Sequence, residues 1–145
     1  MRLDILLDTN TVIYYAAKRL PMVGRDFVSK AINKGPHISL ITYIEASVGQ
    51  KPYDELTLTE VTALQKEMST WVIVQPGEPD IVSKTIELRR EGLKLPDAII
   101  VATAFSHGAL LVTSDTKLSR INGLETYDPM LPVAEIPPIV LRFLS

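Results

Sequence analysis

The alternation of short apolar runs with segments of helical periodicity is the feature that most constrains the fold of this chain. The apolar runs are predicted to form strands at residues 3–7, 37–41, 71–74 and 110–113, with a fifth strand at an edge at 124–127. Strands that alternate with helices typically form a parallel sheet with helices on both faces. The chain is therefore predicted to be an α/β protein, with a sheet of four to five short parallel strands.

Six helices are predicted between and around these strands. Their expected ranges are residues 9–18, the segment between Pro21 and Gly35, 42–49, 57–69, 79–91 and 96–105. Thr57 and Glu60 have the spacing of a capping box at the start of the fourth helix. The last helix is apolar nearly all round, which predicts a central and buried position. Residues 51–54 are expected to form a loop.

Length and composition are those of one globular domain. The chain has 145 residues, of which 46% are hydrophobic, and this is enough to bury a core. Residues 1–145 are therefore predicted to form a single domain. Its end, residues 130–145, contains three prolines and is expected to be an irregular tail. The last apolar segment, IVLRFL, is expected to dock on its own domain or on a partner subunit.

Charge and cysteine content exclude several kinds of site. The chain has no cysteine, so disulfides and thiolate metal sites are excluded, and its two histidines are too far apart in sequence to predict a histidine site. The net charge is −2, whereas proteins that bind long nucleic acids by phosphate neutralisation are normally basic. Contacts with nucleic acid are therefore expected to be local or assisted by a partner. The chain shows neither a membrane-length apolar run nor a signal-peptide pattern, which predicts a cytoplasmic protein without a membrane partner.

Four acidic residues are predicted at the edge of the sheet where the strands end. Asp8 follows the first strand and Asp115 follows the fourth. Glu45 is expected in the first turn of the helix after the second strand, and Asp97 in the first turn of the buried helix. Right-handed crossovers place the carboxyl ends of parallel strands at one edge, where ligands of open α/β sheets bind. The four carboxylates are therefore predicted to converge.

Each of these acids also has a structural explanation. Asp8 and Asp115 suit the N-cap position of a helix. Thr42 and Glu45 have capping-box spacing, and Asp97 suits the first turn of a helix. Capping alone gives no reason for four carboxylates to converge, because they repel one another. A divalent cation would remove that repulsion, and a donor set made only of oxygens favours Mg²⁺ or Mn²⁺ over zinc.

Four segments of the chain form a recognisable pattern: LLDTNTVIYY from Leu6, ISLITYIEASVG around Glu45, LPDAIIVATAFSHGALLVTSD from Leu95 to Asp115, and INGLETYDP. In these segments the chain resembles PIN-domain proteins, in particular the small VapC-type toxins of prokaryotic toxin–antitoxin pairs. The four segments span nearly the whole chain up to Pro129, and acids fill all four acidic positions of the family. The match weakens after Asp115, where many relatives have an aromatic residue and this chain continues Thr-Lys-Leu.

The resemblance implies a PIN-like three-layer α/β/α fold and cleavage of RNA that depends on Mg²⁺ or Mn²⁺. It implies that Asp8, Glu45, Asp97 and Asp115 form the metal and catalytic site. Three further residues are implied to support this site. Asn10 would orient Asp8 or a metal-bound water, and Thr113 and Ser114 would help to hold Asp115 or the scissile phosphate. The implied partners are an RNA substrate, a second copy of the chain in a homodimer, and an antitoxin.

The reaction expected from these residues is metal-assisted hydrolysis of a phosphodiester bond, in which one or two cations activate water and offset charge on the phosphate. Glu45 would complete the site or orient the attacking water. Lys18, Lys94 and Lys117 are candidates for contact with RNA phosphates. The chain contains no serine or cysteine triad that would provide a covalent nucleophile.

Two alternatives remain open within the family: a PIN-fold module that binds RNA or protein without cleavage, and a PIN nuclease of RNA processing that has no antitoxin. An aspartyl phosphatase is disfavoured because its motif requires a second aspartate where this chain has Asn10. Glycine-rich nucleotide-binding turns are absent from the sequence.

Overall fold

Five short parallel strands form a single sheet in the computed structural model, which describes residues 4–49, 56–131 and 138. The strands are β1 (Ile5–Leu7), β2 (His37–Ser39), β3 (Val72–Val74), β4 (Leu110–Val112) and β5 (Thr126–Tyr127). Their order across the sheet is β3-β2-β1-β4-β5, and every neighbouring pair is parallel. The predicted α/β class and parallel sheet are confirmed. All the strands therefore end at the same edge, which we call the carboxyl edge.

Seven helices connect and cover the strands in the described part of the chain. They are α1 (Thr9–Ala16), α2 (Met22–Asn33), α3 (Leu40–Val48), α4 (Leu58–Met68), α5 (Pro79–Arg90), α6 (Leu95–His107) and α7 (Thr116–Ser119). The six predicted helices are confirmed, with boundaries that differ by at most two residues, and the single turn of α7 was not predicted. The capping box of Thr57 and Glu60 is formed at the start of α4. The predicted loop at 51–54 and most of the predicted tail lie outside the described residues.

Side chains that alternate along the strands divide the core into two layers. Ile5 and Leu7 of β1 pack on one face of the sheet, together with buried side chains of α1, α2 and α4. Leu6, between them, faces the opposite layer with α5 and α6. All the α6 side chains from Ala98 to Ala104 are buried, as the apolar pattern of this helix predicts. The sheet is therefore the middle of three layers, which confirms the predicted α/β/α arrangement.

The start of α3 differs from the prediction. The helix begins at Leu40, and its N-cap is Ser39, whose hydroxyl accepts a hydrogen bond from the amide of Ile41 at 3.2 Å. The predicted capping box of Thr42 and Glu45 is therefore wrong. The physical reason is that β2 ends two residues earlier than expected and the serine at its end already serves as the cap. Glu45 consequently lies in the second turn of the helix and does not cap it.

None of the helices in the described part of the chain combines the length and the apolar character that crossing a membrane requires.

Gly24 of α2 allows the chain after β5 to pass directly over the helix. A Cβ atom at this position would overlap the carbonyl oxygen of Pro129. We expect Gly24→Ala to lower the free energy of unfolding by about 1–3 kcal/mol, because overpacking forces backbone atoms to move. Urea denaturation measures this change. Gly77→Ala is the matched control, since no atom lies within 4 Å of its added Cβ, and it should change stability by less than about 1 kcal/mol. Equal effects of the two substitutions would contradict the close approach.

Candidate active site

The four predicted acids line one cavity at the carboxyl edge. This cavity has a volume of about 300 Å³, and its walls come from the ends of β1 and β4 and from helices α1, α3, α6 and α7. Its polar lining consists of Asp8, Thr9, Asn10, Glu45, Lys94, Asp97 and Asp115. The sheet order explains the convergence, because β1 lies between β2 and β4 and each of these strands leads into a helix or loop at the same edge.

Asp8 is the most deeply buried of these acids, with 7% of its surface exposed. It is the N-cap of α1, and its Oδ1 accepts a hydrogen bond from the amide of Thr11 at 2.8 Å. Burial raises the pKa of its carboxyl group, while hydrogen bonds from Thr113 and Thr11 act in the opposite direction. The negative charge of Asp115 adds to the rise. Asp8 thus has both the capping role and a place in the acidic cavity.

Asp97 and Asp115 both line the cavity, and the charge of Asp115 acts on the carboxyl group of Asp97. Asp97 lies half-buried in the first turn of α6. Burial raises its pKa, the charge of Asp115 raises it further, and Lys94 and Lys117 act against this rise. Asp115 is the N-cap of α7 and accepts a hydrogen bond from the amide of Lys117 at 2.9 Å. The surroundings of Asp97 therefore disfavour the charged form of its carboxyl group.

The three predicted supporting residues have different surroundings. Thr113 is buried; its hydroxyl oxygen accepts a hydrogen bond from the amide of Asp115 at 3.1 Å, and its side chain also contacts Asp8. Asn10 is exposed and lines the cavity from the first turn of α1. Ser114 instead donates a hydrogen bond to Oδ1 of Asp128 at 2.9 Å, outside the cavity lining. Thr113 thus links the two aspartates that follow β1 and β4.

Glu45 reaches the cavity from α3 and is held there by Thr9, a residue that was not predicted to belong to the site. The hydroxyl of Thr9 lies 3.0 Å from Oε1 of Glu45 and 3.2 Å from the hydroxyl of Thr42. Both threonines are buried. The one signal in the sequence was the position of Thr9 directly after Asp8, at the first residue of a predicted helix, where a side chain can turn back towards the site.

The chemistry of the donor set fits a hard divalent cation. The cavity presents carboxylate oxygens, and Asp115 repels both Asp8 and Asp97. A cation would relieve this repulsion. As the side chains stand, no group of three or more His, Cys, Asp or Glu residues among those described is arranged to hold a metal ion. Binding would therefore require the carboxylates to draw closer together than they are here.

The two histidines lie together although they are distant in sequence. The rings of His37, at the start of β2, and His107, at the end of α6, have centroids 5.6 Å apart. Nε2 of His107 lies 3.7 Å from Oε2 of Glu78. Strand starts and the end of α6 lie at the edge of the sheet opposite to the acidic cavity, so the histidines are remote from the four acids.

Of the lysines considered above, Lys94 lines the acidic cavity, and Lys117 lies near enough to lower the pKa of Asp97. Lys18 lies elsewhere. It lines a separate cavity of about 390 Å³ formed by α1, α2 and α4. Two positive charges therefore accompany the four acids at the carboxyl edge.

The chain belongs to the PIN domain family, whose sequence model matches residues 5–124. Among solved structures, it is similar to a chain of a toxin–antitoxin complex from Klebsiella pneumoniae, with 35% identity and a TM-score of 0.63, covering 87% of this chain and 98% of that one. VapBC-1 from nontypeable Haemophilus influenzae is 24% identical with a TM-score of 0.67, covering 89% of this chain and all of that one. DNA-bound VapBC from Salmonella typhimurium is 23% identical with a TM-score of 0.68, covering 88% and 99%. The last two likenesses show the fold alone.

The raised pKa of Asp8 leads to a prediction on stability. A carboxyl group whose pKa is higher in the folded state than in the unfolded state binds its proton more tightly when folded, so its charged form costs stability at neutral pH. Asp8→Asn keeps an oxygen acceptor for Thr11 and removes the charge. We expect its melting temperature at pH 7 to be about 3 °C above that of the parent, a typical size for about 1 kcal/mol. Thermal denaturation followed by circular dichroism measures this difference.

The gain should shrink as the pH falls towards 4, because Asp8 of the parent protein then takes up its proton and the two proteins become alike. A variant that is less stable than the parent at pH 7 would show that the carboxylate mainly supports the fold, and the prediction would then be wrong.

Proposed function

We propose that this protein is a ribonuclease that depends on Mg²⁺ or Mn²⁺ and hydrolyses phosphodiester bonds of RNA, and that it is the toxin of a toxin–antitoxin pair. The observation that carries the proposal is the convergence of four carboxylates on one cavity at the carboxyl edge of a PIN-domain sheet. The likeness to a chain of the Klebsiella pneumoniae complex supports the toxin role.

The residues of the cavity divide the work according to their positions. Asp8, Asp97 and Asp115 would hold the cation, and Glu45 would complete its ligand set or orient the attacking water. When bound, the cation would supply Lewis acidity to activate water and offset charge on the attacked phosphate. Lys94, on the wall of the same cavity, would bind a phosphate of the RNA backbone. The overall charge of −2 agrees with a contact that is confined to this local site.

The raised pKa values of Asp8 and Asp97 support the same assignment. Burial and, in addition, the charge of Asp115 make the charged forms of these carboxyl groups costly, and groups with such shifted pKa values concentrate at functional sites. A cation bound by charged carboxylates reverses this cost, so the binding energy of the cation and the stability of the protein should be coupled.

The decisive experiment compares two aspartates in matching positions. Asp97 and Asp80 each follow a proline in the first turn of a helix, but only Asp97 lines the acidic cavity. We expect Asp97→Asn to lower Mg²⁺-stimulated cleavage of RNA at least about 100-fold, the usual scale for loss of a group that acts on the transition state. Asp80→Asn should stay within about twofold of the parent. Gel assays with RNA and DNA of the same sequence measure the rates and the preference for RNA.

Growth provides a second test of the same pair. Expression of the parent and of Asp80→Asn should arrest growth, and expression of Asp97→Asn should not. Cleavage that survives both EDTA and Asp97→Asn would overturn the assignment of metal-dependent cleavage to the acidic cavity. Cleavage without growth arrest would retain the nuclease and favour an RNA-processing enzyme that has no antitoxin.

A PIN-fold module that binds RNA or protein without cleavage is the second candidate. One observation favours it: among the described residues, no three acidic side chains are arranged to hold a metal ion as they stand. Saturable binding of RNA by a parent protein that shows no cleavage at any Mg²⁺ or Mn²⁺ concentration would decide for this candidate.

We further propose that the chain forms a homodimer, in addition to binding an antitoxin. Ile44 and Val48 on α3 and Leu58 at the start of α4 are large apolar side chains that are half or more exposed. Apolar side chains grouped on neighbouring helices often mark a surface that another protein covers. The packing of α3 against α4 places these three side chains on adjoining elements of the fold.

Sedimentation equilibrium tests the dimer. The parent should have twice the mass of one chain, and Val48→Asp should shift it to a monomer, because a buried charge without a partner costs several kcal/mol. Val82→Asp on α5 is the control, since Val82 is also exposed but lies on a different helix, and this variant should remain dimeric. A monomeric parent at concentrations of about 100 μM would contradict the proposal.

A further inference from the structure

A buried contact between α1 and α3 involves two threonines and Glu45. Thr9, the first residue of α1, is 7% exposed, and Thr42 of α3 is fully buried. The Thr9 hydroxyl lies 3.0 Å from Oε1 of Glu45 and 3.2 Å from the Thr42 hydroxyl. These three side chains thus form one continuous hydrogen-bonded group that connects two helices separated by more than 20 residues of sequence.

Elementary chemistry determines which of these side chains donates each hydrogen bond. A hydroxyl has a single proton to donate, and the carboxylate is the stronger acceptor because hydrogen bonds to charged groups are about twice as strong as neutral ones. The Thr9 proton therefore goes to Glu45. The oxygen of Thr9 remains available as an acceptor, and the hydroxyl of Thr42 donates to it, since the positions of hydroxyl protons follow from the network. The chain of donors runs from Thr42 through Thr9 to Glu45.

The Glu45 side chain is held by Thr9 and not by a capping contact at the start of α3. Ser39 caps α3, so Glu45 makes no capping contact with the start of its own helix. Glu45 is half-buried and has a long side chain with several rotamers, whereas Thr9 and Thr42 are buried and branched at Cβ, which restricts them. The two threonines therefore supply the rigid end of the contact, and Glu45 takes its orientation from them.

We propose that Thr9 is a positioning residue that holds the Glu45 carboxylate in the acidic cavity for a divalent cation, and that Thr42 supports Thr9 in this role. The inference rests on the proposed function. It adds that the fourth carboxylate is oriented by α1, the helix that begins directly after Asp8. Residues that orient metal ligands commonly change metal affinity by 10–100-fold when they are replaced.

The test measures binding of Mn²⁺ alone by electron paramagnetic resonance, without RNA. Thr9→Val keeps the shape of the side chain and removes its hydroxyl, and Thr9→Ser restores the hydroxyl. We expect the dissociation constant of Mn²⁺ to rise about 10-fold for Thr9→Val and to return to within about threefold of the parent for Thr9→Ser. Thermal denaturation establishes that both variants are folded. Thr42→Ser is a further folded variant, and it should bind Mn²⁺ like the parent because it keeps its donor.

A double-mutant comparison separates positioning from a general structural role. Glu45→Gln should weaken Mn²⁺ binding, and adding Thr9→Val to it should weaken binding by less than about twofold more, because the group that Thr9 orients is already lost. A full additional 10-fold loss would mean that Thr9 acts independently of Glu45 and would overturn the proposal.

The outcomes also distinguish this inference from the proposed function. Binding of Mn²⁺ that Thr9→Val leaves unchanged overturns the positioning role but not the nuclease. Binding that Thr9→Val weakens, in a protein that cleaves no RNA, overturns the nuclease and supports the positioning role. A parent that binds no Mn²⁺ up to about 10 mM, well above the millimolar range of weak protein sites, overturns both.

Discussion

The pairing of β1 with β4 holds the acidic cavity together. Leu7 pairs with Val112 in register, and the amide of the following residue, Asp8, donates a hydrogen bond to the carbonyl of Val112 at 3.2 Å. Thr11 adds a second hydrogen bond to that carbonyl from its hydroxyl at 3.0 Å. Because the two strands end at the same level, the aspartates that follow them are neighbours. The repulsion between these aspartates is thus a consequence of the pairing of β1 with β4. A shift of this pairing by one residue would abolish the repulsion.

Capping and site chemistry are combined in the same side chains. Asp8 and Asp115 each accept an amide hydrogen bond at the start of a helix and each line the cavity. An N-cap fixes a carboxylate at a definite place relative to the backbone, which is what a site for a cation needs. A helix start directly after a buried strand therefore provides both the stability of the cap and the orientation of the ligand. The two explanations considered for these acids are compatible.

The sequence predicted the layers of the fold and the meeting of the four acids, because these depend on periodicity and on the handedness of crossovers. It failed at the start of α3, where Ser39 and Thr42 are both acceptable caps and only tertiary packing chooses between them. It also missed Thr9, whose contact with Glu45 spans more than 30 residues and leaves no local pattern. The proximity of His37 and His107 was not predicted for the same reason, because no local pattern links two segments so far apart in sequence.

The contact of Gly24 with the carbonyl of Pro129 has a consequence for the evolution of such chains. One hydrogen atom in place of a methyl group leaves room for the carbonyl of Pro129, so the segment after β5 crosses α2 at a distance that a side chain at this position would not permit. A relative with a side chain at this position must lead its chain away from α2 by another route. The identity of this one residue should therefore covary, across related sequences, with the course of the segment that directly follows β5.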